Sequence, residues 1–167
     1  MAKTAKGHVK QYYMGSRFTK YRVVAYVLCS FIIFAFFFIY DYVFPSFGME
    51  KLLAIFGLIE IVVMALIKQG GDWVIKNYYY EVNDNELAIV TGKHRMAFAW
   101  KDFSSVRLNG FDVVNLCPFE YTIAGKKLQI NQYLDNPWDL NVYIMDHIRD
   151  HVEVPEEIYH QADVMRK

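Results

Sequence analysis

VVAYVLCSFIIFAFFFIY, residues 23–40, runs without a charge, and LLAIFGLIEIVVMALI, residues 52–67, follows with Glu60 as its one interruption. A helix needs about 20 largely apolar residues to cross about 30 Å of hydrocarbon. The pair therefore reads as a transmembrane hairpin over residues 23–70, with Pro45 and Gly48 supplying its turn. Working outward, residues 1–22 form a basic arm, residues 71–152 a small β-domain with a closing helix, and residues 153–167 a tail helix.

The formal net charge of zero conceals an uneven layout. Lys3, Lys6, Lys10, Arg17, Lys20 and Arg22 all precede the first apolar run, and no acid accompanies them. Short flanks rich in Lys and Arg stay cytoplasmic. The loop from Asp41 to Lys51 holds only Asp41, Glu50 and Lys51 as charges, so it is the segment expected to cross. Both termini then face the cytoplasm of a multi-pass inner-membrane protein. The first run is longer than the apolar core of a cleaved signal peptide and reads as a retained anchor. Tyr12, Tyr13, Phe18 and Tyr21 before it, and Tyr40, Tyr42, Phe44 and Phe47 after it, suit the two interfaces. The six basic residues are candidate contacts for anionic lipid head groups, at about 1 kcal/mol per charge near the surface; fixing topology would require them equally.

An ionised Glu60 in hydrocarbon costs about 2.5 to 3.5 kcal/mol on the lenient insertion scale. It has to be protonated, paired or turned toward protein. If the two helices pair residues whose numbers sum to about ninety, Ser30 and Glu60 share a depth about 12 Å in from the cytoplasmic ends. Ser30 is then the first candidate partner, and Gly57, one turn earlier on the same face, permits close approach of another backbone. Glu60 serves as structural glue in that reading and as a proton- or ion-responsive group in the alternative.

After Gly70 and Gly71 the pattern changes to short alternating runs broken by turn residues. Strands are predicted at 74–82, 86–91, 95–100, 105–108, 113–116, 119–124 and 127–132, with Met96, Phe98 and Trp100 on one face of the third. A helix from 135 to 148 follows, capped by Asp135 or Asn136 with Pro137 at its first position. The fold class expected is thus an α-helical transmembrane hairpin followed by a small antiparallel, barrel-like β-domain closed by a C-terminal helix.

Tyr80, Val82, Asn83, Asp84, Leu87, Ile89 and Gly92, then Trp100, Lys101, Asp102, Phe103 and Val106, then Leu128 and the 135–148 helix give this stretch its order. That order resembles the bacterial pleckstrin-homology-like (PH-like) domains attached to membrane helices, a GRAM-type or other small β-barrel being the alternative. The resemblance implies a non-catalytic module that binds a protein partner or its own copies. The first hairpin is acid-rich, and Lys93, His94 and Arg95 form the one basic turn, so inositol phosphate binding is not expected.

Reactive constellations are sparse. His94, Ser104 and Ser105 have no spacing that brings them together, and no glycine-rich phosphate loop or zinc-type helix occurs. No enzyme activity, cofactor or metal is expected. His147 and His151 lie one turn apart on the closing helix and form a candidate pH-sensitive pair. Cys29 and Cys117 fall in different segments, so no disulfide is expected. Nucleic acid is not expected as a partner of an acidic domain held against a bilayer. A ligand-gated oligomeric effector, with the β-domain as small-molecule sensor, is the competing functional expectation.

Overall fold

The computed structural model describes residues 9–43, 48–109 and 116–166. In chain order it comprises β1 (Lys10–Tyr13), α1 (Ser16–Val43), α2 (Met49–Asn77), β2 (Tyr78–Val82), β3 (Glu86–Thr91), β4 (His94–Ala99), a 3-10 turn (Trp100–Asp102), β5 (Phe103–Leu108), β6 (Leu116–Ile123), β7 (Lys126–Asn131), α3 (Pro137–Ile148) and α4 (Glu156–Arg166). The chain divides into two units, Phe18–Val74 and a second that joins Met1–Arg17 to Ile75–Lys167.

The second unit holds two antiparallel sheets, ordered β1-β2-β3-β4 and β5-β6-β7. Neither sheet closes on itself, which corrects the barrel-like expectation. Side chains that alternate onto the covered faces are almost wholly buried, among them Tyr80, Val82, Leu87, Phe119, Tyr121 and Ile130. Leu140, Ile144, Met145 and Ile148 supply the buried stripe of α3. Burial at about 25 cal/mol per Å² of apolar surface is the main force holding these layers together. The turns have local causes. Asn83 Oδ1 accepts from the amides of Asn85 and Glu86, which fixes the β2–β3 turn. Ala124 and Gly125 both take positive φ, at 47° and 77°, in the two-residue β6–β7 turn.

Several expected boundaries move. The strand predicted from residue 74 begins at Tyr78, because α2 continues to Asn77. The separate strand predicted at 113–116 falls outside the described residues except for Leu116, which opens β6. Trp100 is buried, but it sits in the 3-10 turn after β4 rather than on the strand. Phe98 is half-buried and Met96 is 59% exposed, so that face is covered only toward its C-terminal end. The cap Asn136, Pro137 at the first turn of α3, and the tail helix occur where expected, with Ile158 and Ala162 of α4 buried. The exposed side of that tail carries Met165.

The largest departure concerns the arm. Lys10 to Tyr13 form the edge strand β1, paired antiparallel with β2 from Lys10 opposite Val82 to Tyr13 opposite Tyr79. Tyr12 and Met14 are buried in the β-domain, and Met14 forms a bridge to Leu134. Gly15 continues this contact, its amide donating to the Tyr133 carbonyl at 2.7 Å. A Cβ at Gly15 would sit 2.8 Å from the Asp135 Cα, so a larger residue does not fit. Both long helices therefore lie, in chain order, between two neighbouring strands of one sheet.

The unit Phe18–Val74 is made by α1 and α2. Phe37 and Leu52 are buried in their seam, and the Phe37 and Phe56 rings meet edge-on at 5.6 Å. At the end nearest the termini, Arg22 Nη1 donates to Asp72 at 3.0 Å and Nη2 to the Lys68 carbonyl at 3.1 Å. The Phe37–Phe56 and Arg22–Asp72 pairs sum to ninety-three and ninety-four, whereas the long-reaching Arg22–Lys68 contact alone of these three sums to ninety. Gly48, at φ 84°, precedes α2; Pro45 lies outside the described residues. The seam covers little of either helix. Phe31, Phe36, Leu58, Ile61 and Leu66 stay 60 to 72% exposed. α1 contains an 18-residue window of mean hydropathy 2.6 and is the one helix, among the described residues, that length and composition mark as able to cross a membrane.

Candidate functional site

Glu60 and Ser30 are both partly exposed, and no hydrogen bond joins them. The observed register explains this. A sum three or four higher sets Ser30 level with about residue 63, roughly one helical turn beyond Glu60 at 1.5 Å per residue. Nothing approaches the position of a Cβ at Gly57 within 4 Å, so its surface is open.

The six basic residues separate into distinct environments. Lys3 and Lys6 lie outside the described residues. Lys10 is ion-paired to Asp139, and Arg22 is clamped on α2 by Asp72 and the Lys68 carbonyl. Arg22 lies so close over Gly71 that a Cβ there would collide with its Nε. Its Nε is buried without a hydrogen-bond partner. Arg17 and Lys20 are exposed and make no ion pair among the described residues. Two of the candidate head-group cations are thus engaged within the protein, and two remain open to solvent or lipid.

The histidines converge on Trp100. His147 stacks on Tyr143 with ring centroids 4.2 Å apart and lies 4.9 Å from the Trp100 ring. His147 Nδ1 meets the Tyr143 carbonyl at 2.9 Å, and His151 Nε2 meets the Trp100 carbonyl at 2.9 Å. Each of these nitrogens must carry its proton to donate. The Trp100 indole in turn donates to the Asn83 carbonyl at 2.9 Å. Each histidine secures the turn after β4 through its own contact, His147 by its ring against the indole and His151 by its hydrogen bond to the Trp100 carbonyl. Among the described residues no cluster of metal-binding side chains is found.

Sequence reasoning missed two polar hubs, both of which need the tertiary fold. Asp139, on the first turn of α3, accepts from Lys10 and from the Tyr12 hydroxyl and lies 3.9 Å from Arg166 of α4. Burial pushes its carboxyl up, but those donors and cations outweigh burial and hold it below the usual range. Burial and Asp139 together push the Tyr12 phenol well above its ordinary value. The second hub is Asn141, fully buried, which accepts from Tyr121 at 2.7 Å and donates to the Pro137 carbonyl at 2.7 Å. Cys117 is buried beside it, and burial pushes that thiol up to about 11.

The Ser104 and Ser105 hydroxyls are both spent on Thr122, while His94 stands exposed on β4 in the other sheet. An open cavity of about 450 Å³ lies between α3 and α4, lined by Arg149, Val152, Glu153, Val154, Glu156 and Tyr159. The Tyr159 hydroxyl is directed away to Asp146, and the Arg149 guanidinium lies over the Tyr159 ring. Compared with family models, with curated proteins and with solved structures, the chain matches none.

Proposed function

We propose that this chain is a non-catalytic, multi-pass membrane protein of the bacterial inner membrane, whose cytoplasmic PH-like β-domain acts as a protein-interaction or self-assembly module. The observation that carries the reading is the pairing of β1 with β2. β1 precedes both long helices and β2 follows them, so strands bonded to each other stand on one side of any membrane the helices enter. A chain that crosses through α1 has to return before Tyr78, and α2 is the helix in that interval. α2 is not marked by composition as α1 is, but its 29 residues give it length enough for the return and residues 52–67 carry a single charge, Glu60. The exposed apolar surface of both helices calls for lipid or protein around it. The basic flank then sets both termini in the cytoplasm.

Two antiparallel sheets of four and three strands in chain order, with α1 and α2 inserted between β1 and β2 and α3 after the last strand, support the PH-like assignment. The serines, the buried thiol and both histidines are engaged in structural contacts, which supports binding rather than chemistry.

Alkaline carbonate treatment should leave the protein in the membrane fraction. With Cys29 and Cys117 replaced by Ser, Ser46→Cys should react with an impermeant thiol reagent on intact cells and Asn109→Cys should not. Outside labelling of Asn109→Cys, or release by carbonate, refutes the anchor. Purification in mild detergent should yield an oligomer or a stoichiometric partner; a lone monomer refutes the binding role.

A further inference from the structure

The end of β1 and the approach to α3 are stitched side by side. Gly15 donates its amide to the Tyr133 carbonyl at 2.7 Å, Asp135 donates its own to the Tyr13 carbonyl at 2.9 Å, and Met14 bridges to Leu134 between them. This fixes the chain where it leaves β1 and enters α1. Beside it opens a cavity of about 190 Å³, lined by Ser16, Arg17 and residues 134–138. Arg17 and Asp135 are exposed, and among the described residues neither makes an ion pair, with the other or with a third group. The Asp135 carboxylate lies against Gly15, and the Trp138 ring is braced edge-on by Phe119 at 5.9 Å. Asn136 is spent on α3, its side chain accepting from the Asp139 amide at 3.4 Å. The cavity thus presents an unpaired guanidinium, an unpaired carboxylate, the Ser16 hydroxyl and an indole.

We propose that this cavity binds the phosphoethanolamine head group of a membrane lipid. The inference rests on the membrane-anchor reading above and adds a ligand site to it. An anion alone is repelled by Asp135 and a cation alone by Arg17, so the cavity selects a small group that carries both charges. Arg17 and the Ser16 hydroxyl donate to the phosphate oxygens, and hydrogen bonds to ionised oxygen are the stronger kind. The primary ammonium donates to the Asp135 carboxylate beside the Trp138 ring, whose face attracts cations. A trimethylammonium group has no N–H to donate, and a glycerol head group brings no cation at all. The position of the cavity on the chain points to a lipid as the source. Arg17 is the second residue of α1, six before the uncharged run that opens at Val23. Six helical residues rise about 9 Å, comparable with the polar layer, about 5 to 8 Å thick, that flanks the hydrocarbon on each side. The bonds between residues 13–15 and 133–135 hold the two charged walls in place before a ligand arrives, which reduces the ordering cost of binding.

Titration of the full chain in mild detergent with phosphatidylethanolamine, phosphatidylcholine and phosphatidylglycerol of matched acyl chains, read by native mass spectrometry, tests the proposal. Phosphatidylethanolamine should saturate at one lipid per chain and bind about tenfold more tightly than either of the others, the scale of one hydrogen bond to a charged group. Arg17→Gln should weaken all three lipids. Asp135→Asn should weaken phosphatidylethanolamine yet tighten phosphatidylglycerol, a reversal that loss of fold does not produce. Lys20→Gln, exposed but outside the cavity, should leave the selectivity unchanged. Soluble O-phosphoethanolamine should compete only weakly; binding as tight as that of the lipid overturns the lipid as the source of the head group. Equal binding of the three lipids by the unmodified chain overturns the site whether or not the variants fold. Retention of the protein by carbonate-washed membranes in that case leaves the anchor standing, whereas release by carbonate removes the anchor and the site together.

Discussion

Asp139 gathers Lys10, Tyr12 and Arg166 onto the first turn of α3, so one carboxylate ties the first strand of the β-domain and the last helix to the same spot. Because its carboxyl is held below the unfolded value, its stabilisation is complete above about pH 4 and is lost as the pH falls through and below that point. Asp139→Asn should lower stability at pH 7 by about 1 to 3 kcal/mol, the usual scale for hydrogen bonds to a charged group. Its deficit against the parent should shrink at pH 3, as read by urea midpoints at the two pH values. Gly70 and Gly71 offer a second contrast between adjacent residues. A Cβ at Gly70 meets nothing within 4 Å, whereas one at Gly71 collides with the Arg22 side chain. Gly71→Ala should displace the guanidinium from Asp72 and lower the thermal midpoint in detergent, while Gly70→Ala leaves it unchanged or raises it.

The β6–β7 hairpin turns on two residues with positive φ, and only the second is glycine. A left-handed conformation costs a residue bearing a Cβ about 1 to 2 kcal/mol. Ala124→Gly should therefore recover part of that strain and raise the thermal midpoint. Such strain is invisible to pattern reading, which places Gly125-Lys126 at the turn and does not resolve its two-residue geometry. The segment after β4 shows a related limit. Alternation identifies Trp100 as a core residue, but its burial comes from the 3-10 turn packing on α3, where Tyr143 and His147 meet the indole. Trp100→Ala should cost about 3 to 5 kcal/mol, the range for large core aromatics, measured by chemical denaturation. Met96→Ala, on an exposed strand position, should cost far less.

For the whole molecule, the insertion of α1 and α2 between paired strands means that the β-domain is discontinuous in the chain. The fragment 75–167 lacks β1 and with it the buried Tyr12 and Met14. It should be less stable than a chain in which residues 9–17 are joined to residue 75 by a short glycine linker in place of 18–74. Thermal unfolding of the two soluble fragments checks this; equal midpoints would mean that β1 adds nothing to the domain. The same topology explains why the arm looked like a lipid-facing flank. Its basic and aromatic residues have the composition of an interface segment, yet Lys10 and Tyr12 find their partner 129 and 127 positions away.

What the sequence by itself determined is what is written in short-range periodicity: two long apolar helices, a change to alternating strands after them though not its position at Tyr78, the Asn136-Pro137 start of α3 and the amphipathic tail. Such signals arise from backbone geometry over one or two helical turns or a single strand, so a local window contains them. Only the tertiary structure decided that residues 10–13 are a strand, that the helix seam runs in a register that parts Glu60 from Ser30, and that Asp139 joins both ends of the β-domain. A strand four residues long carries too little pattern to declare itself, and it exists because β2 offers backbone partners and the core offers room for Tyr12. A hairpin's register is set by how large side chains such as Phe37 and Phe56 interdigitate, which counting from the helix ends cannot supply.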